Sequence, residues 1–221
     1  LPLRFSHEPD ALEDDAPMTL VTRWWWIRHA PVTTDGGRIY GQTDIECDVS
    51  DRASFAALAA RLPREAVWVS SNLKRAYLTA AAIRDAGLVA PEPIIEPGLA
   101  EQHFGEWQGQ IRAEIYARNP DWRGFWLAPA HSAPPGGESF VQVMVRTRAV
   151  VERLTKAHAG RDIVAVAHGG TIRAALAHAL KHEPEMALAY TIDNLAITRL
   201  DHIAQGQGEA WRVWAVNLPP R

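Results

Sequence analysis

Thr22-Arg23-Trp24-Trp25-Trp26-Ile27-Arg28-His29-Ala30-Pro31, residues 22–31, is the stretch on which the fold turns. From Thr22 to Arg28 the residues are aromatic or β-favouring, and the small-residue turn Ala30-Pro31 stops them, so the run predicts a strand entering a loop. On a central strand, alternation buries the tryptophans against flanking helices, which makes them core rather than a carbohydrate platform. Downstream, Ser50 or Asp51 can cap a helix carrying Phe55, Leu58 and Leu62. A second strand is expected at Ala66–Val69. Leu73, Ala76, Tyr77, Ala80 and Ile83 then mark an amphipathic helix stopped at Gly87, and Pro93–Glu96 reads as a third strand. A long helix follows from Ser139 to about His158, with Phe140, Val143, Met144, Thr147, Val151 and Leu154 on one face. Asp162–Ala167 is a buried apolar strand that turns at His168-Gly169-Gly170 into a helix over Thr171–Leu180. Two β-like runs, Ala196–Leu200 and Ala210–Val216, flank the turn Gln205-Gly206-Gln207-Gly208 and form a hairpin.

Strands alternating with helices predict an α/β fold, a three-layer α/β/α sandwich with a mostly parallel, mixed central sheet. Residues 1–20 hold five acids against Arg4 alone and are expected to be an acidic, disordered leader, with Met18 as the native start. Residues 21–221 then form a single domain. Residues 119–137, rich in proline and glycine and carrying Trp122, Phe125 and Trp126, are read as an excursion that covers the site and selects the substrate.

The 221-residue chain is 47% hydrophobic and 22% charged, with a net charge of −3 and a single cysteine, Cys47. One cysteine excludes an internal disulfide and a cysteine-based structural zinc site, which points to the reducing cytoplasm. Its 20 arginines and 3 lysines are spread along the chain among 26 acids, so no cationic stripe awaits nucleic acid. No run approaches the roughly 20 apolar residues of a membrane span.

In open α/β sheets, ligands gather beyond the carboxyl ends of the strands. There the sequence places Arg28-His29, Ser70-Ser71 leading to Arg75, Glu101, and His168. Two histidines, two arginines and a carboxylate make a poor core and a good phosphate site. Arginine forks match phosphate oxygens, and the glycine-rich helix start after His168 adds backbone donors.

With those residues placed, Ile27-Arg28-His29-Ala30 resembles the signature of the histidine phosphatase superfamily, the phosphoglycerate-mutase-like fold. Four further segments are similar to family motifs, in family order: SSNLKRAYLTA at 70–80, LAEQHFGEWQG at 99–109, PPGGESF at 134–140 and VAHGG at 166–170. The resemblance implies that His29 is the nucleophile and becomes a phosphohistidine. It implies that Arg28, Arg75 and His168 clamp the phosphoryl oxygens, and that Glu101 protonates the leaving alkoxide and then takes a proton from water. No metal and no cofactor is implied, since the arginines carry the charge; the partner implied is a small-molecule phosphate ester, with a monomer or homodimer expected. Gly169 and Gly170 stand where one branch of the superfamily has its acid, which leaves Glu101 as donor. That branch point is shared with phosphoglycerate mutases, fructose-2,6-bisphosphatases, α-ribazole phosphatases and broad-specificity phosphatases.

Further phosphate or substrate contacts are expected from Gly169, Asp35, Gly41, His103 and Trp126. The chain departs from the commonest motif at Ala30, Pro31, Val32 and Asp35, and has Ala100 where an arginine precedes the acid. An anion near phosphate is unfavourable unless paired, and Arg38 is the nearest candidate to neutralise Asp35. The loss of polar contacts at Pro31 and Val32 favours a phosphatase over a mutase, with a mutase or an inactive phosphate-binding protein as rivals. Glu138 reads equally as a carboxylate at a helix N-terminus and as a site residue. His178 and His182 share helical spacing suited to a metal but lack a third ligand, so a solvated face is expected.

Overall fold

A computed structural model describes residues 18–119 and 129–221. Among these, a six-stranded sheet runs in the order β3-β2-β4-β1-β5-β6. Its strands are β1 (Thr19–Arg28), β2 (Ala66–Ser70), β3 (Ile94–Ile95), β4 (Asp162–Ala167), β5 (Ile197–Gln205) and β6 (Gly208–Leu218). Pairings β3/β2, β2/β4 and β4/β1 are parallel, while β1/β5 and β5/β6 are antiparallel, so only β5 runs against the rest. The fold is α/β, with the mixed sheet and the three layers expected of it.

Helices α1 (Arg52–Arg61) and α2 (Lys74–Asp85) cover one face. There Phe55, Leu58, Ala76, Ala80 and Ile83 pack on Ile27, Trp68, Val164 and Val166. The opposite face is covered by α4 (Phe140–Ala157) and α5 (Gly169–Leu180). Val151, Leu154, Ile172 and Leu176 meet Trp24, Trp26, Val69 and Ile163 there. Burial on both faces explains why β2 and β4 read as nearly continuous apolar runs. In β1, Trp24 and Trp26 lie on one face, fully buried and stacked with centroids 4.9 Å apart. Trp25 points to the other face, donates to Asp162 and lies under the Arg199 guanidinium. The tryptophan triplet is therefore core.

Several boundaries differ from the sequence reading. β1 begins at Thr19, not Thr22, because its antiparallel pairing with β5 continues to Thr19 opposite Gln205; residues 19 and 20 thus belong to the strand rather than to the leader, and residues 1–17 lie outside the described part. The third strand shrinks to Ile94–Ile95 at the sheet edge. Helix α5 starts at Gly169, directly after His168. Short helices α3 (Arg112–Arg118) and α6 (Pro184–Ala187) were not anticipated, since each buries a single side chain, Ile115 and Ala187. Helix α4 starts where expected, with Ser139 as N-cap and Gln142 closing a capping box.

One topological fact positions the site. β1 leads to α1 on one face and its neighbour β4 leads to α5 on the other, so their connections diverge and open a crevice beyond both carboxyl ends. Arg28 pairs with Ala167 in register, and Ser70 with Val166, so His29 and His168 leave the sheet at one level with Ser71 one residue behind.

Candidate active site

The two histidine rings lie with centroids 5.1 Å apart, His29 being 1% exposed and His168 fully buried. Nδ1 of His29 lies 2.7 Å from the Ala30 carbonyl, which can only accept. That bond fixes the hydrogen on Nδ1 and leaves the Nε2 lone pair free. His168 Nε2 pairs with the Ser71 hydroxyl at 2.6 Å, while its buried Nδ1 has no partner among the described residues.

Arg75 enters from the start of α2 and is fully buried. It donates to the carbonyls of Gly41 and Thr43, and Tyr40 lies over its face at 4.9 Å. Gly41 is needed there: its φ is +45°, and a Cβ would fall 2.5 Å from Gln108 Oε1 and 3.0 Å from the Gln102 carbonyl. Arg28 donates through Nη1 to Ile192 O at 2.6 Å. The Nε atoms of Arg28 and Arg75 are buried without a partner among the described residues. Glu101 is 8% exposed; its carboxylate accepts from Gln102 N at 2.9 Å and Gly170 N at 3.3 Å. One backbone donor of the α5 start is thus spent on Glu101.

Both histidines titrate well below the ordinary imidazole value. For each, burial is the largest cause and repulsion from Arg75 the next; His29 also feels Arg28. The rings are therefore neutral at pH 7. Unfolding returns them to about 6.5, so below that value the unfolded chain binds more protons and stability falls with pH, starting near 6.5 and continuing down through the folded values. Urea midpoints measured at pH 7.5 and 5.5 are expected to drop on acidification, and less steeply in His168→Gln. A dependence as steep in the variant as in the parent would show that His168 is not held neutral.

The structure gathers Arg28, His29, Arg75, Glu101, His168 and Gly169 around one crevice, with Gly41 as the carbonyl anchor of Arg75. Asp35 is turned elsewhere: its carboxylate accepts from Gly37 N, and Arg38 donates to Gly109 O rather than to Asp35. His103 folds back on its own loop, its Nδ1 accepting from Gly105 N. Trp126 lies outside the described residues. His178 and His182 make aromatic contacts instead, edge-on to Trp211 and stacked on Tyr190, which corrects the expectation of a solvated face. Glu138 forms an ion pair with Arg146.

Three neighbours went unread in the sequence. Arg173, five residues after His168, lies beside Gly169 and donates to Tyr190 O, and burial lowers it to about 10. Arg146 holds the backbone around Glu101. Asn194 donates to the His29 carbonyl at 2.7 Å, and next to it Leu195, with a φ of +63°, donates to Arg28 O. No motif flags these residues, since their roles come from distant segments meeting the crevice.

Residues 24–217 match the family model of the histidine phosphatase superfamily, branch 1. Glucosyl-3-phosphoglycerate phosphatase of Mycobacterium tuberculosis is 38% identical over 167 residues, covering 70% of this chain and 74% of the relative. Metal-independent phosphoserine phosphatase of Arabidopsis thaliana is 34% identical over 169 residues, covering 73% and 70%. Mycobacterial glucosyl-3-phosphoglycerate phosphatase in complex with VO3 superposes with a TM-score of 0.73 at 34% identity, covering 89% of this chain and 98% of that one. Among the described residues no helix is long and apolar enough to cross a membrane. The chain belongs to branch 1 of the histidine phosphatase superfamily, as a phosphatase-type enzyme.

Proposed function

We propose that this enzyme hydrolyses small phosphate monoesters in the cytoplasm, without a metal, through a phosphohistidine on His29. The observation that carries the reading is a set of buried nitrogens beside the His29 ring that have no hydrogen-bond partner among the described residues: Arg28 Nε, Arg75 Nε and His168 Nδ1. Buried donors are ordinarily paired, and a phosphoryl group supplies three oxygens to pair them. When the Ser71 hydroxyl donates to Nε2 of His168, Nδ1 carries a hydrogen toward that group.

In the first half-reaction, Nε2 of His29 bonds to phosphorus as the bond to the leaving oxygen breaks, and Glu101 gives that oxygen a proton. In the second, a water oxygen bonds to phosphorus, its proton goes to the Glu101 carboxylate, and the phosphorus–nitrogen bond breaks to release inorganic phosphate. Charge spreading over the equatorial oxygens is stabilised by the two guanidiniums and His168. The substrate class rests on the relatives, named for glucosyl-3-phosphoglycerate and phosphoserine.

Phosphate release from a panel of monoesters in EDTA tests this reading. Release is expected to survive the chelator. Glu101→Gln is expected to slow alkyl phosphates by about 10²–10⁴-fold and p-nitrophenyl phosphate far less, since that leaving group scarcely needs a proton. Equal slowing of both would remove Glu101 from the acid role, and no release from any ester would favour a mutase or a binding protein.

A further inference from the structure

Glu101 lies in irregular chain between short 3₁₀ turns at Pro97–Leu99 and Gly105–Trp107. A general acid must meet its leaving oxygen at hydrogen-bond distance, and a misplacement of about 1 Å costs on the order of 10²-fold in rate. The carboxylate's own contacts, to the next backbone N–H and a long one to Gly170, do little to fix the loop that carries it.

Arg146, two turns into α4, does. Its Nη1 donates to Gly98 O at 2.8 Å and Ala100 O at 2.6 Å, and its Nη2 to Glu101 O at 3.0 Å. On its other edge the guanidinium grips Glu138, Nε to Oε1 at 2.9 Å and Nη2 to Oε2 at 3.1 Å. Glu138 Oε2 also accepts from His103 N at 2.9 Å. The Glu138 backbone completes the frame, its N–H donating to His103 O and its carbonyl accepting from Gln102 Nε2. Close approach of the two segments is secured at Gly137, where a Cβ would fall 2.5 Å from His103 O. Gly98, Ala100, Glu101, Gln102 and His103 are thus all tied, directly or through Glu138, to the start of α4. The two side chains are only 21% and 24% exposed, so this is no solvated surface pair.

We infer that Arg146 and Glu138 form a positioning unit that sets where the Glu101 carboxyl meets the leaving oxygen, so that its loss falls on proton transfer. The inference rests on Glu101 being the acid. Neither residue is placed against the phosphoryl group. A merely structural ion pair would lower thermal stability and slow every ester alike.

The full chain with Arg146→Met, Arg146→Lys, Glu138→Gln or Glu101→Gln is assayed for kcat and KM on phosphoserine and on p-nitrophenyl phosphate. For Arg146→Met and Glu138→Gln, kcat on phosphoserine is expected to fall about 10- to 100-fold further than kcat on the aryl ester. KM is expected to change by less than about threefold, as befits a group acting in the transition state. Arg146→Lys is expected to recover only part of the loss, since an ammonium keeps the charge but not the fork. Equal losses on both esters, a change confined to KM, or no loss would overturn the inference. Should Arg146→Met fail to fold, Glu138→Gln, which keeps the shape of its side chain, carries the same comparison. Selective loss in Glu101→Gln alone overturns the positioning unit and leaves the acid standing. A Glu101→Gln variant without selectivity removes the acid, and the positioning unit with it.

Discussion

His29→Ala is expected to reduce phosphate release by at least about 10⁴-fold on every ester, alkyl or aryl, because the proposed mechanism then has no nucleophile to form its covalent bond. The fold is expected to persist. The backbone of residue 29 donates to Ala167 O at 2.9 Å and accepts from Asn194, and neither bond depends on the ring. The side chain makes one hydrogen bond, to Ala30 O, whose loss costs about 1 kcal/mol. Phosphate assays, circular dichroism and trapping of an acid-labile phosphoprotein on rapid denaturation check this together. Wild type is expected to trap label and the variant none. Release retained in a folded His29→Ala protein would take the nucleophile role from His29.

Arg75→Met is expected to lower kcat by about 10³–10⁵-fold, the range for an arginine that neutralises a transferring phosphoryl group. Two losses combine. The buried charge beside His29 and His168 disappears, and the carbonyls of Gly41 and Thr43 lose their donor, which loosens the loop over the site. Each stranded carbonyl costs about 1–3 kcal/mol if it stays buried. Arg75→Lys is expected to recover less than about tenfold, because the three hydrogens of an ammonium radiate from one nitrogen and cannot reach the two carbonyls and the ligand across the span of the planar guanidinium fork. Inhibition by vanadate, whose trigonal form resembles the transferring group, is expected to weaken in parallel with kcat. A variant that lost turnover but kept vanadate affinity would show that Arg75 acts through the loop alone.

The sheet was legible wherever burial imposes a pattern: the Trp24–Trp26 alternation, the apolar runs of β2 and β4, and the Ser139 cap of α4. The site was legible where chemistry forces rare residue types to a strand end, as at His29 and His168. Arg146 was not. It sits on a long helix among other arginines, and its meaning appears only when α4 passes the 98–103 loop. Asp35 and His103 were read toward the ligand because they neighbour motif residues, yet Asp35 bonds to the Gly37 amide and His103 to the Gly105 amide. Short-range backbone bonds of this kind compete with any pocket for a polar side chain. Asn194 and the left-handed Leu195 carry no local signal, since they hold the distant Arg28-His29 backbone, 165 residues from Asn194 in the chain.

That last separation has a consequence for synthesis. A ribosome completes the whole Arg28-His29 signature early, but β1 finds its two neighbours only when β4 and β5 have emerged, and the hook from Asn194 comes just before β5. Pairing between such distant segments is slow to form and must await nearly the full chain. A chain ending before residue 194 lacks β5, β6 and the Asn194 bond to the His29 carbonyl, and is therefore expected to release no phosphate although it carries the whole Arg28-His29 signature.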